Sequence, residues 1–243
     1  LAGGADDYLE VPRALKQRLS EWTIEAWVKP ASVAGGEGII VRRVVEQLNG
    51  GSNALNYIVG LETNASGELR VYAGYSTAAG QQRIVRGGTI ATGIWTHVSA
   101  LYSNATLAIF TNGALTVSSN STLFTAPKIN GRGGETYLRM GEGFEGRIDE
   151  VRIWSGGRTP GQISTNWNRT VPRTSAGLTH YFRFDDGQAL TNAMPFGPFH
   201  QPGGRRTSRT RTTGTCTGGM PQSFAETPRL SSRTAFSGRR PCA

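Results

Sequence analysis

The stretch WTIEAWVK, Trp22 to Lys29, decides the fold class of this chain of 243 residues. Every second position from Trp22 onward carries an apolar side chain, and the positions between them include the charged Glu25. An apolar alternation with a period of two predicts a β-strand that buries one of its faces. Pro30 follows at once and predicts the end of that strand.

Short apolar runs of the same kind follow along the chain, separated by clusters of Gly, Asn and Ser that are typical of turns. They fall at residues 38–45, 56–61, 69–72, 96–102, 106–111, 115–118, 137–140, 146–154 and 179–184. Asn112-Gly113 predicts a hairpin with a type I′ turn, because both residues tolerate positive φ. One short helix is predicted from Pro160 to about Trp167, with Thr159 as its N-cap. The pattern predicts an all-β chain, an antiparallel two-sheet sandwich of the jelly-roll kind.

The net charge of +9 is concentrated near the C-terminus. Residues 1–194 carry 18 Lys and Arg against 16 Asp and Glu, whereas residues 195–243 carry eight Arg and one acid, Glu226. Hydrophobic periodicity also stops at Pro195. We therefore predict a sandwich at 1–194 and an Arg/Gly/Ser/Thr/Pro-rich tail at 195–243 that is irregular or disordered and lies outside the fold. The arginine run of the tail, Arg205, Arg206, Arg209 and Arg211, contains no aromatic residue for base stacking, so no specific nucleic-acid partner is expected. Whether it is native or the product of out-of-frame translation stays open.

Cysteine content and hydropathy exclude two classes of protein. Both cysteines, Cys216 and Cys242, lie in the tail, so residues 1–194 form no disulfide and no cysteine-based metal site. No apolar run approaches the roughly 18 residues that a membrane span needs. The chain begins at Leu1 without an initiator Met or a signal segment, and we expect it to be a portion of a longer product.

Several motifs carry a family resemblance. They are DDYLEVP at 6–12, the opening strand at 22–30, IWTHV at 94–98, GRIDEVRIW at 146–154 and YFRFDDG at 181–187. In this order they resemble the laminin-G-like domains of the concanavalin A-like lectin and glucanase jelly rolls. The resemblance spans residues 2–193 and implies the fold. It leaves the ligand open, because this fold hosts lectins, glycanases, adhesins and receptor domains.

The resemblance also implies a structural calcium ion. In related folds the Asp of the last-strand motif, here Asp149, helps to hold calcium together with backbone carbonyls and an acidic residue near the N-terminus. Asp7 is the candidate for that second carboxylate. Calcium takes about six to eight oxygen ligands, so carbonyls and water would complete the site. The alternative stays open that Asp149 accepts hydrogen bonds from backbone amides or pairs with an Arg.

No catalytic pattern is visible, and we assign no catalytic residue. The Glu-x-Asp-x-x-Glu spacing of glycanases is absent, because Glu145 and Asp149 share a strand face at about 13 Å while Glu150 faces away. A lyase pair of His97 and Tyr102 is available, but His97 is better explained as a core histidine. The chain is therefore predicted not to be an enzyme. A glycoside hydrolase or polysaccharide lyase with an atypical site remains the alternative.

Sugar-binding sandwiches use exposed aromatic rings together with Arg and Asn side chains. The candidates here are Tyr75 in a Gly-flanked loop, Arg83 close to it, and Asn53 in the Asn-rich stretch 49–56. The tryptophans, at positions 22, 27, 95, 154 and 167, are assigned to packing.

These observations predict a non-catalytic binding or adhesion module of a larger secreted or cell-surface protein. Its expected partner is a polysaccharide, a glycoprotein glycan or an extracellular protein, and its expected location is extracellular or at the cell surface. A structural, self-assembling surface protein is a further alternative. The identity of the ligand and the oligomeric state stay open.

Overall fold

The computed structural model describes residues 2–3, 7–11, 18–32, 37–47, 53–129 and 137–184. This part of the chain forms thirteen strands and one helix. Their bounds are β1 Ala2–Gly3, β2 Leu9–Glu10, β3 Trp22–Ser32, β4 Glu37–Gln47, β5 Asn53–Thr63, β6 Leu69–Ser76, β7 Gln82–Ile90, β8 Thr96–Ser103, β9 Thr106–Thr111, β10 Ala114–Asn120, β11 Leu138–Met140, β12 Glu145–Ser155, α1 Pro160–Asn166 and β13 Leu178–Phe182.

The strands form two sheets. Sheet A has the order β1-β12-β3-β8-β9-β10, and β13 also pairs with β12. Sheet B has the order β2-β11-β4-β5-β6-β7. All neighbouring strands run antiparallel. The predicted antiparallel sandwich is confirmed.

The main core lies between the two sheets and follows the alternation of β3. Its apolar positions, from Trp22 to Val28, are all buried against residues of sheet B. The Trp22 ring lies 6.0 Å from the ring of Tyr57 on β5. Burial of this apolar surface is the main favourable contribution to folding.

The end of β3 and the presence of β7 differ from the prediction. Pro30 does not end β3, which continues to Ser32 and pairs Pro30 with Gly146 beside a register shift in β12. Proline is tolerated at such a bulge because the regular ladder is already interrupted there. Strand β7 was not predicted, because Gly87 and Gly88 break its apolar pattern. Gly88 has a φ of +75°, and the pairing of β7 with β6 shifts register nearby.

The hairpin and the helix are confirmed. Asn112 and Gly113 have φ values of +48° and +78°, as a type I′ turn requires. Thr159 caps α1 in a capping box with Gln162. The helix lies on the outer face of sheet A, where Ile163 packs on apolar side chains of β8 and β9.

The predicted tail at 195–243 lies outside the described residues. So do Asp6 and the last three residues of the 181–187 motif. Within the described ranges, no helix is long and apolar enough to cross a bilayer.

Candidate functional site

Tyr75 is not in a loop, and its predicted role in ligand stacking has no support in its position. It lies in β6, faces the core and is 0% exposed. Its hydroxyl donates a hydrogen bond to the Thr125 carbonyl at 2.9 Å, and its ring lies 4.4 Å from the ring of Tyr102. Burial raises the pKa of the Tyr75 phenol. The strand alternation of β6 turns this ring inward, away from any ligand.

The other two predicted ligand-binding residues, Arg83 and Asn53, make contacts of different kinds. The Arg83 guanidinium, on β7, donates from Nε to the Leu123 carbonyl at 2.8 Å and so holds the segment after β10. Asn53 is the first residue of β5, and its Nδ2 donates to the Tyr137 hydroxyl at 3.4 Å. Of the three, only Asn53 touches the group of side chains described next.

Six partly exposed polar and aromatic side chains gather at the edge of sheet B. We call them the Arg139 cluster: Tyr8, Glu10, Arg42, Tyr137, Arg139 and Glu142. Neighbouring strands β2, β11 and β4 position them, with Glu10 opposite Arg139 and Arg139 opposite Arg42. Residues directly opposite each other on antiparallel strands have Cβ atoms about 4.5–5.5 Å apart, so these side chains share one surface.

Arg139 is held between two tyrosine rings. Its guanidinium carbon lies 4.2 Å from the Tyr8 ring centroid and 4.0 Å from the Tyr137 ring centroid. Its Nε donates to Glu10 at 3.1 Å, and its Nη1 donates to Glu142 at 3.3 Å. Cation–π contacts and hydrogen bonds to carboxylates fix the plane of the guanidinium before any ligand arrives.

Arg42 extends the same network. Its Nη2 donates to Glu142 at 2.5 Å, and its guanidinium lies 5.4 Å from the Tyr137 ring centroid. The side chains of Arg42, Arg139, Glu142 and Glu10 are 20%, 23%, 27% and 36% exposed. Two arginines and two glutamates balance in charge, so the cluster presents fixed hydrogen-bonding groups rather than a net charge.

The environment shifts two pKa values in the cluster. Burial is the largest effect on Arg139 and acts to lower its pKa, but the hydrogen bond that Arg139 donates to Glu10 and the charge of Glu142 outweigh it and raise the pKa. Burial raises the pKa of the Tyr137 phenol, with the arginines opposing and the glutamates adding to the effect. Arg139 therefore stays charged and Tyr137 stays a neutral donor at any physiological pH.

An apolar floor continues from the cluster across the outer face of sheet B. Ile58 lies opposite Arg42, and the Tyr72 ring covers Gly60 so closely that a Cβ at position 60 would meet the Tyr72 hydroxyl at 2.6 Å. Beyond this floor, Glu62 accepts hydrogen bonds from Arg70 at 2.6 Å and Arg86 at 2.9 Å.

The comparisons with known proteins identify the family. The model of the concanavalin A-like lectin/glucanase superfamily matches residues 3–164. The chain belongs to this superfamily. No curated protein is similar enough in sequence to count as a relative.

Solved structures share the superfamily fold at low sequence identity. A Bacteroides ovatus protein named as a candidate carbohydrate-binding protein is 20% identical with a TM-score of 0.55, over 74% of this chain and 50% of that one. The present chain thus spans half the length of that protein. The Ruminococcus gnavus sialidase module CBM40, bound to α2,3-sialyllactose, is 11% identical with a TM-score of 0.52, over 68% and 94% of the two chains. The enzymatically active domain of tailspike protein 2 of bacteriophage CBA120 is 14% identical with a TM-score of 0.52, over 73% and 28%.

The superfamily resemblance predicts calcium at Asp149 and Asp7. Asp149 lies on β12 opposite Trp27, and its Oδ1 accepts the backbone N–H of Glu150 at 2.8 Å. No group of three or more His, Cys, Asp or Glu side chains suited to a metal occurs among the residues the structure describes. The predicted site also relies on backbone carbonyls and water, so calcium at Asp149 and Asp7 stays a prediction.

The structure does not bring together the residues that were considered as a catalytic pair. His97 and Tyr102 point to opposite faces of β8: His97 is buried against Trp27 on the outer side, and Tyr102 packs in the main core. Glu150 has a φ of +50° at a bulge in β12, where it accepts from the Tyr181 hydroxyl and from Arg152. These contacts hold the Glu150 carboxylate against its neighbours. They do not place it in a pair of carboxylates that faces a cleft.

A second set of polar side chains is buried beneath α1 on the outer face of sheet A. Glu25 and Arg152 are each 1% exposed, and Arg152 Nη1 donates to Glu25 at 3.3 Å. His97 Nε2 lies 3.6 Å from Glu25, and Arg158 Nε lies 3.2 Å from its other oxygen. The bulge residue Glu150 completes it by accepting from Arg152 Nη2 at 3.1 Å. We call this set the Glu25 network, and it holds two carboxylates and two guanidinium groups.

The Arg139 cluster was not predicted from the sequence, although one signal was present. Tyr137 and Arg139 stand two residues apart in a predicted strand, so an aromatic and a cationic side chain share one face. Their partners come from distant parts of the chain: Glu10 is 129 residues and Arg42 is 97 residues away from Arg139. A single sequence does not show that these strands are neighbours.

Proposed function

We propose that the chain is a non-catalytic carbohydrate-binding module that acts outside the cell or at its surface. The observation that carries the proposal is the Arg139 guanidinium fixed between two tyrosine rings at a partly exposed sheet edge. Membership of a superfamily that contains lectins supports it.

The chemistry of the cluster fits a sugar. A pyranose presents an apolar C–H face and a rim of hydroxyl groups. Tyrosine rings offer apolar surface with a polar tip, and the guanidinium and carboxylate groups offer donors and acceptors in fixed positions. Because neighbouring contacts hold these groups in place, little conformational entropy remains to be lost when a ligand binds. An adhesion role within a larger protein would use the same surface.

The hydrogen bonds that the glutamate carboxylates accept favour binding over catalysis. On the outer face of sheet B, Glu10, Glu62 and Glu142 each accept a hydrogen bond from an arginine. A glycosidase needs two carboxyl groups that face the scissile bond. If the full chain released reducing ends from soluble polysaccharides, the non-catalytic assignment would fail.

The first prediction concerns Arg139→Ala. Binding of soluble polysaccharides, measured by affinity electrophoresis and then calorimetry with the best ligand, is expected to weaken about tenfold or more, because hydrogen bonds to a charged group are lost. Arg173→Ala serves as a matched control, since Arg173 lies in the segment after α1, outside the cluster. Equal binding by Arg139→Ala and the parent chain, with both folded, would reject the site.

The second prediction concerns calcium. If Asp149 and Asp7 help to hold the ion, the unfolding temperature of the full chain rises with calcium and falls with chelator, by an amount set by calcium concentration relative to its Kd. Asp149→Ala is expected to abolish this response, whereas Glu68→Ala, on an exposed turn, is expected to keep it. The response to calcium is the readout, because Asp149→Ala also removes the acceptor for the Glu150 N–H. An unfolding temperature that ignores calcium and chelator would remove the metal.

A further inference from the structure

An exposed tryptophan lies beside two cations on the outer face of sheet A. Trp95 is 38% exposed, although tryptophan usually packs in the interior or binds a partner. Arg147 is exposed and Lys29 is half-buried. We call Lys29, Trp95 and Arg147 the Trp95 patch.

The strand register places the three side chains in one row. Lys29 on β3 lies opposite Arg147 on β12. On the other side of β3 the pairing ends at Val28 with Thr96, and the next position along is Trp95. The Gly93 N–H donates to the Pro30 carbonyl at 2.7 Å, which keeps this segment alongside β3. Neighbouring strands are about 4.8 Å apart, so the row spans about 10 Å.

The two cations of the patch have no acidic partner among the described residues. None of the ion pairs found there involves Lys29 or Arg147. Like charges directly opposite each other on neighbouring strands repel. An anion placed between them removes this repulsion, so the patch complements a negatively charged group.

The surface beside the patch is rigid. Trp27 lies next to Lys29 along the same face of β3, and its ring is 5.6 Å from the Trp167 ring. Trp167 in turn covers Gly113, where a Cβ would lie 2.4 Å from Trp167 Cδ1. This packing fixes the sheet face under the patch, which lowers the entropic cost of binding.

We propose that the Trp95 patch binds an acidic sugar unit of a polyanionic glycan, with the sugar ring on Trp95 and its carboxylate between Lys29 and Arg147. The proposal rests on the proposed function only in taking a carbohydrate as the ligand. Its site lies on the opposite sheet from the Arg139 cluster. The row of about 10 Å across paired strands matches a sugar ring with its carboxylate.

An anionic lipid surface is the competing occupant. Ile94, 59% exposed, stands next to Trp95 and would favour insertion into lipid. The acidic sugar is favoured because the cations lie along paired strands of a sheet face, with one aliphatic side chain beside them. Stable interfacial binding needs a larger buried apolar area.

The test uses the full chain and three probes in chelating buffer: polygalacturonate, its fully methyl-esterified form and vesicles that contain phosphatidylserine. Chelation prevents calcium from bridging the polymer. We expect binding to polygalacturonate to be about tenfold tighter than to the neutral ester, and to weaken with added salt. The vesicles are expected not to bind.

Variants separate the contributions of the aromatic ring and of the two cations to polygalacturonate binding. Trp95→Ala is expected to weaken polygalacturonate binding about tenfold. Lys29→Ala/Arg147→Ala is expected to abolish both the preference for the charged polymer and most of the salt dependence. Leu123→Ala is the matched control, because Leu123 is 64% exposed and lies outside the patch.

The outcomes distinguish this proposal from the previous one. Arg139→Ala tests the Arg139 cluster, and Trp95→Ala with Lys29→Ala/Arg147→Ala tests the Trp95 patch, so either site can fail alone. Equal binding of the acid and ester forms would overturn the acidic-sugar assignment. Vesicle binding that Trp95→Ala removes, without polymer binding, would assign the patch to a membrane surface instead.

Discussion

Arg152→Met is expected to lower the free energy of unfolding by about 3–5 kcal/mol, because it leaves the Glu25 carboxylate buried without the arginine that donates a hydrogen bond to it. Arg152 is 1% exposed and joins three elements: it donates to Glu25 on β3, to Glu150 in the bulge of β12, and to the Arg169 carbonyl after α1 at 2.7 Å. Urea unfolding followed by tryptophan fluorescence measures the change.

Two further variants make the result specific to the buried charge. Arg147→Met changes the same residue type on the same strand at an exposed position, and its effect is expected to stay within about 0.5 kcal/mol. The double variant Glu25→Leu/Arg152→Met removes both charges, so its loss is expected to be smaller than the sum of the single losses. Additive losses, or an Arg152→Met variant as stable as the parent chain, would contradict a coupled Glu25 network.

The Glu25 network marks a limit of the sequence prediction. Alternation along β3 correctly predicted its core face, because that signal is local. It also placed Glu25 on the opposite face, which looks like a solvent face when the strand is considered alone. The segment from Ser155 to Leu178 folds back over that face with α1, so Glu25 is buried as well. Trp27 on the polar side of the alternation was the one local sign of a second covered face.

Local sequence signals were sufficient to predict the hairpin and the helix. The Arg139 cluster depends on contacts between distant segments of the chain. The Asn112-Gly113 turn and the Thr159 cap each depend on only a few neighbouring residues in the sequence. Tyr75 was misplaced because its glycine neighbour indicated a loop, while the pairing of β6 with both β5 and β7 keeps it in a strand. Asn53 was assigned to binding for its loop composition, and its contact is with Tyr137, which only the sheet order reveals.

Trp22→Ala is expected to cost about 3–5 kcal/mol of unfolding free energy, the range for truncating a buried large aromatic side chain. Trp22 is 0% exposed and packs between the rings of Tyr57 on sheet B and Tyr102 on sheet A, at 6.0 and 6.4 Å. Its removal leaves a cavity between the two sheets that the surrounding strands can fill only in part, and urea unfolding reports the loss.

Trp95→Ala is the matched control for Trp22→Ala, because it makes the same chemical change at an exposed position. Its cost is expected to stay below about 1 kcal/mol, since little apolar contact is lost where the ring already faces water. Trp22→Ala should therefore lower the unfolding midpoint while leaving the polygalacturonate affinity of the folded fraction unchanged, and Trp95→Ala should do the reverse. If both variants lost stability equally, Trp95 would be a packing residue like Trp22, and the Trp95 patch would lose the aromatic surface on which the acidic-sugar proposal depends.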